Sequence, residues 1–327
     1  MAYEDTPNKA TIRRAWDLPV LRQKATQLGR SLSYLGLPGP EIRDLIDWRD
    51  VLGSRTGVES MGRTRQQRDL FSAVAAQINM NVLARDLSSG FQLLRADIED
   101  VILQGVDENG RVPQLISGGS SASAKFLYDV VNLDFDGGIG YVNHQGSSKR
   151  ASALKKVFER QEGTGFILLL TINVRHTLGG EFEEYIRGMI SRAIDTETRQ
   201  ILELCVARPV GQLEYKMKAV VPSFIQSAAE LRMFESRCLP LIVYEGHKRA
   251  KMVHFVFVLQ HKPGNLKHYG TQNDRDLVSL PLIRCSGGTL QLDLSQPGCR
   301  EPSSYAAQLD FLDNDLQSSI LGLALNC

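Results

Sequence analysis

The sequence predicts an α/β fold: a doubly wound, mostly parallel seven-stranded sheet that ends in an antiparallel β-hairpin, with helices on both faces. Two observations support this prediction. Apolar runs of strand length are separated by stretches of helical periodicity, and that alternation is typical of a parallel sheet. The last two apolar runs are joined by a short polar link, which only an antiparallel pairing allows.

The composition is that of an ordinary globular protein. The chain has 327 residues, 43% of them apolar and 23% charged, and its net charge of +1 argues against non-specific coating of nucleic acid. Its five cysteines have no C-x-x-C spacing, and no histidine pair has a metal-site spacing, so we expect no metal. No apolar run is long enough to cross a membrane, and the first residues do not resemble a signal peptide, so we expect a cytoplasmic protein.

The chain is expected to fall into three regions. Apolar residues recur at roughly helical spacing between Ala10 and Gly29, which predicts a helix ahead of the sheet. The expected division is an N-terminal helical extension at 1–30, an α/β domain at 31–262 with a helical insert or cap at 179–229, and a C-terminal extension at 263–327.

The stretch 31–60 predicts the first strand–turn–helix–strand unit. We expect a buried strand ending at Leu35, a tight turn at Gly36–Gly39, a helix at Pro40–Leu52 and a second strand ending at Glu59. The glycines permit a sharp turn and a close approach of a ligand to the backbone. An acid about 20 residues beyond such a turn is where a nucleotide-binding unit holds ribose hydroxyls.

The later elements follow from the same patterns. Residues 105–123 and most of the region beyond Lys262 are rich in turn-forming residues. We predict strands at Phe91–Asp97, within Lys125–Phe135, at Phe166–Asn173, Leu239–Tyr244 and Met252–His261, with one more near Thr289–Leu294. We predict helices or helical turns at Leu70–Leu83, Ile98–Val101, Ala151–Gln161, Glu181–Ile194, Glu197–Val206, Val210–Ala229 and Tyr305–Leu325, with Pro222 interrupting the sixth of these.

This order of elements, over about Ser31 to Lys262, resembles the class I (Rossmann-like) S-adenosylmethionine-dependent methyltransferases, whose seven-stranded sheet has an antiparallel last strand. The resemblance implies S-adenosylmethionine as the cofactor. It implies that the turn after strand one wraps the methionine end, that the acid ending strand two binds the ribose, and that an acid after strand three approaches the adenine amine. These cofactor-binding positions are Gly36, Leu37, Pro38, Gly39, Glu59, Asp97 and, at the end of strand four, Asn132.

Strand four ends beside the transferring methyl group in that family, which makes Asp134 and Asp136 the candidate catalytic residues. A carboxylate there can accept hydrogen bonds from an acceptor amine, while the protein mainly supplies in-line positioning. Each acid also has a simpler interpretation. Glu59 can be a surface residue, Asp97 an N-cap, and the strand-four acids a solvated or capping pair.

The resemblance leaves several functions open. The first is methyl transfer to a nucleic acid or other macromolecule, because Arg63–Arg68 and Lys149–Lys156 follow strand ends where they can meet phosphates. The second is a catalytically inactive methyltransferase-like scaffold or partner subunit, since two prolines stand in the first turn. The third is another Rossmann-like nucleotide enzyme, such as an NAD-dependent one. We expect no membrane partner.

Overall fold

A computed structural model describes residues 6–60, 65–105, 127–135, 138–139, 148–161, 163–174, 180–193, 195–207, 213–262, 274–293 and 309–325. The helices in these ranges are α1 (Pro7–Thr11), α2 (Leu18–Leu28), α3 (Arg43–Asp47), α4 (Arg65–Ala84), α5 (Ile98–Gln104), α6 (Lys149–Arg160), α7 (Gly180–Arg192), α8 (Thr196–Val206), α9 (Leu213–Glu230), α10 (Asp274–Ser279) and α11 (Asn314–Leu325). A π-helix, Ile12–Asp17, joins α1 to α2, and the whole of Pro7–Leu28 is called the N-terminal helical segment below.

The described residues contain one ten-stranded sheet. Its strands are β1 (Leu32–Gly36), β2 (Leu52–Glu59), β3 (Phe91–Arg95), β4 (Val130–Asp134), β5 (Phe166–Asn173), β6 (Phe234–Cys238), β7 (Leu241–Glu245), β8 (Lys251–His261), β9 (Leu282–Ser286) and β10 (Thr289–Leu292). The spatial order is β10-β9-β7-β8-β5-β4-β1-β2-β3, with β6 also paired to β8.

Strands β1 to β5 are parallel and follow the order 3-2-1-4-5 of doubly wound sheets. Strand β8 is antiparallel to β5 and to β7, as the predicted hairpin requires. The predicted doubly wound, mostly parallel sheet with antiparallel strands at its end and helices on both faces is therefore confirmed. The strand count is larger than the predicted seven, because β6 pairs with β8 beside β7 and because β9 and β10 extend the sheet beyond the hairpin. Strand β10 is the additional strand predicted near Thr289–Leu294.

Two apolar cores lie on opposite faces of the sheet. Successive residues of β5 from Phe166 to Leu170 alternate between them, and all eight residues of the strand are buried, which explains why six of the eight are apolar. Helices α5 to α10 cover one face. The other face is covered by α3, α4, α11 and the N-terminal helical segment, whose Trp16 and Leu21 are buried in that core.

Two helix predictions are wrong. The expected helix at Pro40–Leu52 is only the short α3, because Ile42 ahead of it has a left-handed backbone (φ 49°) that cannot continue a helix. Pro222 does not interrupt α9, which runs continuously through it. Nearly all of α9 is buried, so tertiary packing outweighs the local cost of the proline.

Candidate ligand site at the carboxyl edge of the sheet

The carboxyl ends of β1 to β5 form one edge of the sheet, called the carboxyl edge here. The chain runs outward from β1 to β2 and β3 and then returns from β3 to β4 on the other side of β1, so the switch point of the topology lies between β1 and β4. Ligands of doubly wound proteins bind in the crevice at such a point. Gly36 at the end of β1 is in register with Asn132 of β4, which brings the predicted turn and the predicted strand-four site together.

The turn after β1 is built around close backbone packing. A Cβ atom on Gly36 would lie 2.2 Å from the Tyr34 hydroxyl oxygen, so the space above this glycine is already filled. Gly39 has a left-handed backbone (φ 60°), which favours glycine. Pro38 lies against β2, where its Cγ is 3.0 Å from the position that a Cβ of Gly57 would take. Leu37 packs on the apolar core that lies beneath helices α5 to α10.

Glu59 ends β2, as predicted, and its side chain is inside the protein. The residue is 8% exposed, and burial raises the pKa of its carboxyl to about 7. No hydrogen bond or ion pair to this carboxyl is found among the described residues. A buried carboxyl at a strand tip without a partner is a candidate ligand group, because a ribose diol would satisfy its oxygens.

Asp97 follows β3 beside Glu59. The amide of Ala96 donates to the Glu59 carbonyl oxygen at 3.0 Å, which fixes the two strand tips together. Asp97 lies at the N-cap position of α5, yet its side chain makes no capping bond there. It accepts instead from the Ser60 hydroxyl at 2.5 Å, and Lys149 lies 4.0 Å from its other oxygen. Asp97 is therefore a cap by position and a partner of Ser60 by contact.

The strand-four residues are engaged within the protein. The Asn132 amide donates to Asp44 at 2.8 Å and to the Tyr34 hydroxyl at 3.4 Å. Asp134 accepts from Lys9 Nζ at 2.7 Å, and both side chains are about one third exposed. Asp136, the second predicted catalytic acid, lies outside the described residues.

Sequence reasoning missed the contribution of the N-terminal helical segment. Lys9, Arg13 and Asp17 are spaced four residues apart, a helical spacing that puts three charges on one face and that could have indicated a polar contact. Arg13 pairs with Asp47 at 2.8 Å and lies 3.6 Å from Asp44. The π-helix carries both Arg13, which contacts α3, and Asp17, which contacts the sheet, and such elements often occur at functional sites.

Asp17 completes a buried chain of hydrogen bonds. Its carboxylate lies 2.9 Å from His254 Nε2, and His254 Nδ1 lies 2.8 Å from the Thr171 hydroxyl. Thr171 and His254 are opposite residues of β5 and β8, and Asp134 of β4 is opposite Thr171 on its other side. The hydrogen-bonded chain therefore lies in the same cross-strand row as Asp134. Both nitrogens of His254 have partners, which is the arrangement of a structural histidine.

The N-terminal helical segment and the strand tips enclose a cavity of only about 40 Å³. Pockets for nucleotide-sized ligands are several times larger, about 300–1,000 Å³. Burial raises the pKa of Asp44 in its wall to about 7, against the opposing effect of Arg13. Its lining includes Lys9, Asp17, Asp44, Asn132, Asp134 and Tyr244. A nucleotide can therefore occupy this cavity at the carboxyl edge only if one of the lining side chains moves.

Of the two predicted basic segments, only Lys149–Lys156 has described side chains. Positions 61–64 lie outside the described residues, as do the side chains of 65–68, so Arg63–Arg68 stays a prediction. The cations of the Lys149–Lys156 segment have partners. Lys149 pairs with Asp100 and Arg150 with Glu99, while Lys155 lies over the Phe224 ring and Lys156 pairs with Glu159. This second segment has little unpaired charge for phosphates.

Two further predictions concern absences. Within the described ranges, no group of three or more histidine, cysteine or acidic side chains could hold a metal ion. None of the helices in those same ranges has the length and apolar character needed to cross a membrane.

No protein-family model and no curated protein sequence matches the chain. Several solved structures of methyltransferases are similar to it. An O-methyltransferase from Bacillus cereus in complex with SAH has 11% identity and a TM-score of 0.35, and the alignment covers 79% of this chain and 84% of that one. The N-methyltransferase NodS from Bradyrhizobium japonicum, also in complex with S-adenosylhomocysteine, has 11% identity and a TM-score of 0.34, and the alignment covers 80% of this chain and 100% of that one.

The methyltransferase domain of a bacterial Hen1, CtHen1-C, has 13% identity and a TM-score of 0.37, with 75% of this chain and 98% of that chain covered. At this level of similarity the comparisons assign neither a family nor an activity. The fold rests on the strand order of the sheet, and the function has to be argued from the site.

Proposed function

We propose that the chain is an S-adenosylmethionine-dependent methyltransferase whose cofactor lies along the carboxyl edge, over the tips of β1 to β4. The single observation that carries this proposal is Glu59. It is a buried carboxyl without a partner among the described residues, at the tip of the second strand of a 3-2-1-4-5 sheet. This is where a nucleotide-binding sheet holds ribose hydroxyls.

The acids at the tips of β2 and β3 have the chemistry needed to bind an adenosine. Ionised Glu59 would accept hydrogen bonds from both ribose hydroxyls, and Asp97 beside it would accept from the adenine amine. S-adenosylmethionine, when bound, supplies an electrophilic methyl group. Asp134 and Asn132 at the β4 tip would lie where the methionine end of the cofactor meets the acceptor and would position the two toward each other, and positioning is the main contribution such a reaction needs from the protein. The ion pair between Lys9 and Asp134 closes this part of the site, at the tip of β4.

Isothermal titration with S-adenosylhomocysteine tests the proposal. We expect 1:1 binding to the wild-type protein and at least a tenfold loss of affinity in Glu59→Ala, because a hydrogen bond to a charged group is worth roughly 1.5–3 kcal/mol. Glu41→Ala is the matched control, since Glu41 follows the same turn but has a half-exposed side chain, which pairs with Arg43. Equal affinity in all three proteins, or no binding to the wild type, would contradict the proposal.

For the acceptor we propose a nucleic acid or another macromolecule, supported by the basic segment Arg63–Arg68 at the predicted ligand side. Of the two predicted basic segments, Lys149–Lys156 has its cations engaged by other side chains, so we assign the phosphate contacts to Arg63–Arg68. Binding of a single-stranded RNA should then weaken steeply with salt, and Arg63→Ala/Arg65→Ala should reduce the slope of log K against log salt by about one per lost phosphate contact. A slope near zero in the wild type would exclude a nucleic acid as the acceptor.

The second candidate is a catalytically inactive scaffold or partner subunit. The Lys9–Asp134 ion pair and the Tyr34 hydroxyl above Gly36 favour it, because they fill the positions that the methyl donor would need. A scaffold transfers no label from methyl-labelled S-adenosylmethionine to RNA, DNA or protein in a cell extract. Label incorporation that Glu59→Ala abolishes would rule the scaffold out.

A further inference from the structure

Lys9 places a primary ammonium group inside the candidate site. Its Nζ donates to Asp134 at 2.7 Å at the tip of β4, and Asp44 and the Tyr244 hydroxyl lie on the same cavity. The Asp134 carboxylate, with smaller effects of Tyr244 and Asp44, raises the pKa of Lys9 well above its usual range. The cavity therefore binds one positive charge and holds it protonated.

The backbone that carries Lys9 is fixed, whereas its side chain is partly open to solvent. The neighbouring Asn8 donates to the Glu245 carbonyl oxygen at 3.2 Å and accepts from the Gly288 amide at 3.0 Å, which anchors α1 to β7 and to the β9–β10 turn. The Lys9 and Asp134 side chains are each 31% exposed. Because the Lys9 side chain reaches solvent, we expect its ammonium to leave Asp134 by rotation of the side chain alone, with α1 in place.

We propose, first, that the β4 tip is a subsite for a primary alkylammonium group and, second, that the protein's own Lys9 occupies this subsite when no ligand is bound. The third part of the proposal is that the ammonium at the methionine end of S-adenosylmethionine displaces Lys9 from Asp134 on binding. The last part rests on the proposed function, and the first two parts do not. An exchange of this kind replaces one ammonium on Asp134 by another, so the buried carboxylates of the cavity keep their counter-charge. Lys9 is then an internal competitor that closes the site when no cofactor is bound.

The subsite is tested without any nucleotide. Lys9→Ala removes the ammonium and its alkyl stem, so millimolar n-butylammonium should raise the melting temperature of this variant, and n-butanol should not. The wild type and Lys9→Met, in which the space of the stem stays filled, should not respond. Lys156→Ala is the control for a similarly exposed ion pair elsewhere, on α6. Equal shifts in all four proteins, or no shift in Lys9→Ala, would overturn the subsite.

The competition is tested by titrating S-adenosylhomocysteine, which carries the same ammonium, into wild type and Lys9→Ala. If Lys9 occupies the subsite about nine-tenths of the time, removing it should tighten binding about tenfold. Unchanged or weaker binding in Lys9→Ala would overturn the competition. If neither protein binds the nucleotide while n-butylammonium still stabilises Lys9→Ala, the proposed function fails and the ammonium subsite stands.

Discussion

His254 Nε2 lies 2.9 Å from Asp17 Oδ1, and this contact ties the N-terminal helical segment to the middle of the sheet. Both side chains are almost fully buried, at 5% and 3% exposure. The segment is therefore bound to the sheet by a polar contact as well as by its apolar face. A buried partner that loses such a bond retains the cost of its desolvation.

The Asp17–His254 contact leads to a first prediction. Asp17→Ala should lower the free energy of unfolding by about 1–3 kcal/mol, because it leaves His254 without one of its two partners. Asp17→Asn should cost less, since its amide oxygen can still accept from the ring. Urea unfolding followed by the fluorescence of the buried Trp16 and Trp48 measures both variants. Wild-type stability in Asp17→Ala would show that the contact contributes nothing.

A second prediction concerns the two glycines of the first turn. Gly36→Ala should destabilise the protein by about 1–3 kcal/mol, because the new methyl group overlaps the Tyr34 hydroxyl oxygen at 2.2 Å. Tyr34→Phe removes that oxygen but leaves the ring carbon at 2.6 Å, so the penalty should become smaller in this background without vanishing.

Gly39→Ala provides the comparison for Gly36→Ala. A Cβ there meets no atom within 4 Å, so its cost of about 1–2 kcal/mol comes from the left-handed backbone alone. Tyr34→Phe should leave that cost unchanged. A double-mutant cycle by chemical denaturation measures both couplings, and equal coupling of the two glycines to Tyr34 would contradict the geometry.

A third prediction follows from the pKa of Glu59, which burial raises from 4.5 to about 7. The folded protein then binds this proton more tightly than the unfolded chain does, so Glu59 makes stability fall as the pH rises from about 4.5 to about 7. Glu59→Gln removes this effect. The stability of Glu59→Gln relative to wild type should therefore increase across that interval and level off above it.

Denaturation at a series of pH values checks the Glu59 prediction. Asp44, whose pKa is also raised to about 7, is present in both proteins and cancels in the difference. A difference that does not change with pH would mean that Glu59 reaches solvent or a partner in the folded protein.

A fourth prediction separates ribose recognition from general nucleotide binding. Wild-type protein should bind S-adenosylhomocysteine about tenfold or more tightly than its 2′,3′-dideoxy analogue, because the charged carboxylate then loses its hydroxyl partners. In Glu59→Gln this preference should shrink. Titration calorimetry above pH 7, where Glu59 is ionised, measures both ratios. A wild-type protein that binds the two ligands equally would place the ribose elsewhere.

Local patterns were enough for the first half of the sheet. The end of β2 at Glu59 and the position of β5 follow from short runs of sequence, and the structure has them as predicted. Strand β1 runs one residue further than predicted, to Gly36, and the hydrogen-bonded turn after it is Gly39–Ile42. Strand β6 was missed because its sequence, Phe-Glu-Ser-Arg-Cys, is mostly polar and becomes a strand only by pairing with β8. Pro222 was misjudged because burial of α9, which local sequence does not reveal, decides its conformation.

The candidate site could be predicted only in part. Glu59, Asp97 and Asn132 stand at strand ends that the alternation of elements brings to one edge. The contact of Lys9 with Asp134 joins residues 125 positions apart, and that of Asp17 with His254 joins residues 237 apart. Spacing along the chain carries no information about such pairs. They decide whether the strand-four corner is open or closed.

The most direct measurement is a crystal structure of the protein with S-adenosylhomocysteine. We predict that the ribose hydroxyls lie within hydrogen-bonding distance of the Glu59 carboxylate, and that the ligand ammonium lies on Asp134 with Lys9 turned toward solvent. A structure in which the nucleotide is bound away from β2, with Lys9 still on Asp134, would contradict the proposed site.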